Sequence, residues 1–276
     1  SIRTCYQLIF ILDRYSYFIR LYLNKIEQAI RKISGNNDIF LGGDQNSFSC
    51  VEEIERMQSR FSLSSEELLK KKIIYPAMKN NSLVNSFREL RTNLTKDNDN
   101  NIVLVTSTAR NSGNSFFARN LAAATAFDVS KTAILFDCSI GNNDTGDLFD
   151  IPDQAGILNY IFDKNIEIEN IIHDSGIKRL RVIPFGKSEM TIGEHFSHPR
   201  FQSLVSQLKH KYGDRHIFID APPILESADA RILMSLCDQV VLVVPYGKNN
   251  IEDIQAATKI IGQDKFSGVV FNDYAQ

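Results

Sequence analysis

Runs of apolar residues without polar alternation dominate the second part of the chain. They have the composition of strands that are buried on both faces, at residues 102–105, 133–136, 180–183, 216–219, 240–244 and 268–271. Helical spacing of apolar residues separates most of these runs, at residues 116–127, 157–162, 200–212, 228–236 and 251–261. Strands that alternate with helices predict an α/β fold, with a doubly wound, mostly parallel sheet flanked by helices.

The first part of the chain carries only helical patterns. Residues 7–34 place apolar side chains at helical spacing and are followed by Gly35, which predicts one long amphipathic helix. The apolar stripe is aromatic and its borders are basic, as in helices that bind a membrane interface or a partner helix. Packing of the stripe on the chain's own domain is an equally good interpretation of the pattern.

Shorter helices are predicted between this segment and the first strand. Residues 51–60 have a helical pattern. Residues 64–67 form a capping-box pattern, and the helix that it begins is expected to stop at Pro76. Another helix covers residues 84–94, before a polar break of Asn and Asp residues. These patterns predict a helical N-terminal extension ahead of the α/β domain.

Length and charge narrow the class of protein. The 276 residues suffice for one large domain at residues 81–276 with the smaller extension at residues 1–80. A formal net charge of −2 lacks the basic footprint of nucleic-acid binding, so we expect no nucleic-acid partner. The longest apolar runs are far shorter than the about 20 residues that span a bilayer, and no signal-peptide pattern opens the chain. The four cysteines lack metal or redox spacing, which favours reduced thiols in a cytoplasmic protein.

The loop after the first predicted strand has the position of a phosphate-binding loop. It leads into a helix and keeps Gly113, whose backbone can approach a phosphate, and Ser115, whose hydroxyl can reach a magnesium ion. Asn114 stands where such a loop carries a lysine. The nucleotide-binding residues predicted from this loop are Ser112, Gly113, Asn114 and Ser115.

Two later strands end in a carboxylate. Asp137 follows the run at residues 133–136, and Asp220 follows the run at residues 216–219. Carboxylates at this edge of a parallel sheet, opposite a helix N-terminus with a hydroxyl, build magnesium–nucleotide sites. The predicted metal ligands are therefore Ser115, Asp137 and Asp220. The alternative for each aspartate taken alone is a helix or turn cap.

Several longer segments resemble one protein family. They match its arginine-bearing helix, the flanks of its phosphate loop, its two aspartate-ended strands and a motif around a proline, at residues 87–94, 103–107, 120–122, 134–137, 193–201, 219–225 and 228–230. The sequence resembles the bacterial tyrosine autokinases of exopolysaccharide and capsule synthesis over roughly residues 24–273. The resemblance implies a P-loop NTPase fold of the deviant Walker A type.

The resemblance also implies partners. The family acts with a membrane polysaccharide co-polymerase, or chain-length determinant, whose cytoplasmic tail docks on the P-loop domain. It uses the arginine helix for homo-oligomerisation, a role that falls here on Arg88 and Arg91. Asn85 replaces the glutamate of that motif, so we expect a dimer or monomer rather than a large ring. The expected location is the cytoplasm, peripheral at the inner face of the cell membrane.

The chain departs from the family where the chemistry is carried. Asn114 replaces the phosphate-loop lysine, Ser139 replaces the second aspartate of the strand motif, and Gly141 replaces its first arginine. The tyrosine cluster that the family phosphorylates is reduced to Tyr274. Because phosphoryl transfer relies on positioning and charge neutralisation, these losses together should nearly abolish it. ATP and Mg²⁺ should then bind weakly or not at all.

These residues predict a pseudokinase. It would regulate or scaffold polysaccharide synthesis and export, with Asp137 and Asp220 as vestigial catalytic carboxylates. The alternative is an active ATP-dependent tyrosine autokinase with an atypical Walker A loop, in which Arg110 or Lys131 supplies the missing cation. Arg110 is expected on the wrong side of the turn for this. A third hypothesis, an ATPase of the related septum- and chromosome-positioning group, is disfavoured by the arginine helix.

Overall fold

The computed structural model of the chain describes most of the α/β domain and the segment that enters it. The described residues are 61–78, 81–95, 101–139, 144–151, 155–186, 195–211, 215–245 and 250–272. The helices predicted at residues 7–34 and 51–60 lie outside the described residues, so they stay predictions.

Helices and strands alternate along the described residues. The helices are α1 Ser65–Lys70, α2 Asn81–Leu94, α3 Asn114–Ala126, α4 Asp144–Leu148, α5 Ile157–Phe162, α6 Ile168–Ile171, α7 Pro199–Lys211, α8 Ala228–Ser235 and α9 Ile251–Ile261, with a 3₁₀ turn at His195–Ser197. The strands are β1 Ile102–Ser107, β2 Thr132–Asp137, β3 His173–Asp174, β4 Leu180–Ile183, β5 Arg215–Asp220, β6 Gln239–Pro245 and β7 Phe266–Asn272. Every strand that the sequence predicts is present. The short α4, α6 and β3 have no counterpart in the predicted pattern.

The described strands form one seven-stranded sheet in the order β3–β4–β2–β5–β1–β6–β7. Neighbouring strands run parallel, except that the short β3 pairs antiparallel with β4. The prediction of a mostly parallel sheet is confirmed. The strands β2 to β5 lie on one side of β1, and β6 and β7 lie on the other. The crevice for a ligand in such a sheet lies at the carboxyl ends of the strands near this switch point.

Side chains of each central strand alternate between two apolar layers. In β1, Leu104 packs in one layer and Val103 in the other, and both are fully buried. The first layer contains side chains of α5, α7 and α8, and the second contains side chains of α2 and α3. Helices therefore cover both faces of the sheet, which explains why its strands carry continuous apolar runs.

The segment before α2, residues 61–78, is called the strap below. Its helix α1 begins with the predicted capping box, in which Ser64 and Glu67 bond reciprocally. The helix ends at Lys70, several residues before Pro76, where the sequence predicts its stop. Lys72 takes a positive φ of 56°, which turns the chain out of the helix early.

The strap packs into the core of the domain. Ile73 and Ile74 are 1% and 2% exposed, and with Leu68 they belong to the same apolar layer as α2 and α3. The domain boundary predicted at residue 80 therefore does not separate the strap from the α/β domain. For residues 1–60, the division into extension and domain stays a prediction.

Candidate functional site

Three neighbouring strands end where the phosphate-binding loop is predicted. Asp137 ends β2 and Asp220 ends β5, and the two residues are directly paired across the parallel ladder. Both are 1% exposed. Strand β5 has β2 on one side and β1 on the other. β1 ends at Ser107, and the loop runs from there to α3. The structure thus brings both aspartates and the loop to one edge of the sheet.

The loop between β1 and α3 has the tight backbone of a phosphate cradle. Asn111 and Gly113 have positive φ angles of 58° and 89°, and Gly113 directly precedes α3. The Ser112 hydroxyl donates to the Ala109 carbonyl at 2.6 Å, which closes the turn. Asn272, the last residue of β7, donates its amide to the Ser112 carbonyl at 2.8 Å. Bonds from within the loop and from β7 therefore hold its shape.

Asn114 occupies the position of the phosphate-loop lysine and forms hydrogen bonds at the end of β5. Its amide nitrogen donates to Asp220 Oδ1 at 2.8 Å and to the Ala221 carbonyl at 3.0 Å. An asparagine has two amide protons, so these two acceptors use both of them. A lysine would instead extend a positive charge toward the phosphate oxygens. Asn114 therefore supplies no cation to the loop.

Ser139 joins the two aspartates. Its hydroxyl lies 2.8 Å from Asp137 Oδ1 and 3.0 Å from Asp220 Oδ2. A hydroxyl donates only one proton, so one carboxyl group must carry a proton if both bonds form together. Thr145 of α4 bonds Asp137, and Ser115 bonds Asp220. We call this set the carboxylate network: Asn114, Ser115, Asp137, Ser139, Thr145 and Asp220.

Burial favours a proton on the aspartate pair. Burial away from water and, to a smaller extent, the negative charge of nearby Asp137 raise the pKa of Asp220 to about 7. Hydrogen bonds from Ser115 and Ser139 oppose this shift. Burial also raises the pKa of Asp137, against the bonds from Thr145 and Ser139. Near neutral pH the pair therefore holds less negative charge than two ionised aspartates, which weakens its attraction for Mg²⁺.

The retained residues fit part of a magnesium–nucleotide site. Ser115, Asp137 and Asp220 offer the oxygen atoms that Mg²⁺ prefers, and the loop backbone has the shape that receives a phosphate. The cation that would balance the phosphates is missing at Asn114, and protein donors already bond both carboxylates. The set therefore keeps the oxygen ligands and the loop backbone of such a site but lacks its cation.

The raised pKa of Asp220 makes stability depend on pH. The folded state keeps the proton up to about pH 7, whereas an unfolded aspartate loses it near pH 3.9. The folded state binds more protons in this interval, so the free energy of unfolding should fall as the pH rises from about 4 to about 7, by at most about 1.4 kcal/mol per pH unit. Urea unfolding at several pH values measures this slope. The isosteric Asp220→Asn variant should flatten it, and an equal slope in that variant would contradict the shift.

Neither alternative cation reaches the lysine position. Arg110 is highly exposed, and its Nε lies 3.2 Å from Glu226 Oε2, in the turn that leads to α8. Lys131 directly precedes β2, at the opposite end of that strand from Asp137. The positions of these side chains therefore do not favour the rescue of phosphate binding that the alternative hypothesis requires.

The two arginines of α2 have different surroundings. Arg88 is exposed. Arg91 donates to the Ala124 carbonyl at 3.2 Å and lies 3.6 Å from Asp128 Oδ2, so it caps the C-terminal end of α3 within the same chain. The oligomerisation role of the pair stays a prediction, and Arg88 is its exposed member.

Two residues of the site are not among those predicted from the sequence. Thr145 lies in a polar stretch without helical spacing, and only the folded position of α4 brings it to Asp137. Asn272 lies at the end of the last strand, 160 residues from the Ser112 that it bonds. A polar residue closing a strand at the same edge as the aspartates was the only available hint for Asn272.

Two further properties concern the described part of the chain. It contains no group of three or more His, Cys, Asp or Glu side chains that could hold a metal ion. None of its helices is long and apolar enough to cross a bilayer.

The chain has curated relatives, although no protein-family model matches it. It is 29% identical to the tyrosine-protein kinase CpsD of Streptococcus agalactiae over 190 residues, 67% of this chain and 81% of CpsD. It is 28% identical to the putative tyrosine-protein kinase CapB of Staphylococcus aureus over 191 residues, 67% of this chain and 82% of CapB. The chain is thus similar in sequence to bacterial tyrosine-protein kinases. It is also 26% identical to the kinase Ptk of Acinetobacter johnsonii over 215 residues, 75% of this chain but only 29% of Ptk.

Solved structures show the same fold. The kinase domain of the Escherichia coli tyrosine kinase ETK matches with a TM-score of 0.65 and 22% identity, over 85% of this chain and 96% of that domain. The chimerical protein CapA2B2 matches with a TM-score of 0.65 and 20% identity, over 84% of this chain and 100% of that one. The kinase-like P-loop fold that the sequence predicts is confirmed.

Proposed function

We propose that this chain is a pseudokinase, a catalytically degenerate relative of the tyrosine kinases that regulates or scaffolds exopolysaccharide or capsule synthesis and export. The observation that carries the proposal is the environment of Asn114. A neutral amide stands in the lysine position, and its protons are used by Asp220 and Ala221. Removal of one transition-state donor costs about 10²–10³ in rate.

Ser139 adds to the loss of activity. It replaces a second charged group of the family's strand motif, and its hydroxyl bridges Asp137 and Asp220. Phosphoryl transfer needs the charge of the transferred group to be neutralised by metal ions and cations. Loss of the lysine and loss of a carboxylate therefore both weaken charge neutralisation during phosphoryl transfer. ATP and Mg²⁺ bind weakly in this proposal, through the loop backbone and Ser115.

The proposed partner is a membrane polysaccharide co-polymerase. The support is the resemblance to capsule kinases, together with relatives that include CapB and CpsD. The protein would then work at the inner face of the cell membrane through that partner. Self-association through α2 would use the exposed Arg88 more than Arg91, which caps α3.

One observation favours the alternative of an active autokinase. Gly113, Ser115, Asp137 and Asp220 lie together at one edge of the sheet, as a magnesium–nucleotide site requires. Such an enzyme would need a cation from another chain, because neither Arg110 nor Lys131 is placed to supply it. The two hypotheses differ in whether the aspartates are needed for polymer production.

Genetic complementation separates a scaffold from an enzyme. We expect deletion of the gene to reduce polymer output and the Asp137→Asn/Asp220→Asn double variant to restore it to the wild-type level, because a scaffold needs the fold but not the charge. Polymer amount and chain length are the readouts, with protein abundance and urea unfolding as controls for folding. A folded, equally abundant double variant that behaves like the deletion would contradict the proposal.

A further inference from the structure

The strap contacts α3 and α4, the two helices that carry Asn114, Ser115 and Thr145 of the carboxylate network. The lysine run at residues 70–72 places three similar side chains side by side. Only Lys71 reaches across to α4, where its Nζ donates to the Leu148 carbonyl and lies 2.7 Å from Asp150 Oδ2. Lys71 is largely buried, with 17% of its side chain exposed. Lys70 is exposed at the end of α1.

A second contact ties the strap to the phosphate-loop helix. Asn120 of α3 is 1% exposed, and its side chain bonds the strap backbone on both sides of a turn. Its Oδ1 accepts from the Ile74 N–H at 2.7 Å, and its Nδ2 donates to the Lys72 carbonyl at 3.1 Å. The same helix carries Asn114 and Ser115 in its first turn. Movement of the strap would therefore act on α3 as well as on α4.

Helix α4 connects the strap to the aspartates. Its C-terminal carbonyl at Leu148 accepts from Lys71, and Thr145, one turn earlier, bonds Asp137 through both its hydroxyl and its backbone. Phe149 is buried beneath this turn in the same apolar layer as the strap. A helix of five residues has few bonds of its own, so its position depends on these two contacts together with the buried Phe149.

We propose that Lys71 is a positioning residue through which the strap controls the carboxylate network. When the strap lies on the domain, Lys71 holds α4 and thereby keeps Thr145 on Asp137. Displacement of the α1 end of the strap, which carries Lys71, frees α4 and loosens the network. The proposal deepens the proposed function, because it gives that site a means of regulation. The coupling itself requires neither a bound nucleotide nor kinase activity.

Amide hydrogen exchange of the full chain without nucleotide tests the coupling. Lys71→Met removes the charge and keeps much of the apolar stem, so exchange at residues 144–151 and 137–139 should rise about 5-fold or more, the usual lower range of coupling between sites. The matched Lys70→Met variant should leave these amides unchanged, and Lys71→Arg should restore much of the protection. A rise confined to residues 61–78, or an equal rise in Lys70→Met, would overturn the proposal.

The reverse perturbation keeps the test valid if Lys71→Met unfolds. Thr145→Val removes the hydroxyl that bonds Asp137 at nearly constant volume, and coupling is reciprocal. Exchange at residues 71–74 should therefore rise in this variant, and unchanged exchange there would also overturn the proposal. The exchange measurements contain no nucleotide, so they do not depend on kinase activity. Phosphotyrosine on the wild type in a separate kinase assay would refute the pseudokinase proposal but leave this coupling unaffected.

Discussion

Replacement of Asn114 by lysine is expected to strengthen binding of MgATP by about 10- to 100-fold. A charge-assisted hydrogen bond to a phosphate contributes about 1.5–3 kcal/mol to binding, which corresponds to this range of affinity. The backbone of the cradle is in place, because Gly113 and Asn111 have the required positive φ angles and Asn272 holds the loop. Calorimetric titration of the wild type and the variant measures the difference.

The neutral Asn114→Gln variant is the matched control. It lengthens the side chain but adds no charge, so it should not bind MgATP more tightly than the wild type. An equal gain in both variants would show that side-chain length, not charge, limits binding. No gain in Asn114→Lys would show that the loop does not receive a phosphate.

Replacement of Gly113 by alanine is expected to destabilise the protein by about 2–5 kcal/mol. The φ of 89° costs a residue with a Cβ about 1–2 kcal/mol. The new Cβ would lie 2.0 Å from Asn272 Nδ2, so the amide must move and leave the Ser112 carbonyl. Loss of that buried bond adds about 1–3 kcal/mol. Urea unfolding measures the total.

Gly262 provides a comparison for the cost of a positive φ angle without a steric clash. It has a similar φ of 79°, but a Cβ added there meets nothing within 4 Å. Its ψ of 156° lies outside the left-handed helical region, in a backbone region that essentially only glycine adopts, so Gly262→Ala should cost about 1–3 kcal/mol from backbone strain alone. If Gly113→Ala costs no more than the about 1–2 kcal/mol of left-handed backbone strain, then Asn272 does not clamp the loop.

The architecture was predictable because its strands are covered on both faces. A strand with a continuous apolar run, such as residues 240–244, has apolar side chains on both faces, and both must be buried. Helices that alternate with the strands along the chain provide this cover. The run at residues 102–105 was predicted too short, since β1 continues through Thr106 and Ser107. Their hydroxyls are buried because they donate to the Pro222 and Ala109 carbonyls, which a residue pattern does not reveal.

The end of α1 was predicted wrongly for a tertiary reason. Pro76 is a good local stop signal, but the helix ends at Lys70 because Ile73 and Ile74 are drawn into the core. Their placement depends on Asn120, whose side chain bonds the strap backbone. Such a contact between distant parts of the chain has no local sequence signal.

The candidate site was predictable in its residues but not in its bonding. The position of Asp137 and Asp220 at strand ends follows from the parallel sheet, since the carboxyl ends of its strands share one edge. The sequence also shows that Asn114 lacks a charge. It does not show that the amide bonds Asp220, or that α4 brings Thr145 to Asp137, because both depend on loops without periodic patterns.

Phosphotyrosine on the purified full chain, after incubation with saturating ATP and Mg²⁺, tests the loss of kinase activity most directly. CpsD, assayed in parallel, provides the positive reference, and the Asp137→Asn variant of this chain provides the background. Intact-mass and phosphotyrosine measurements should give the same result for the wild type and for Asp137→Asn, with no phosphate incorporated into either. Phosphotyrosine on the wild type that disappears in Asp137→Asn would contradict the pseudokinase proposal.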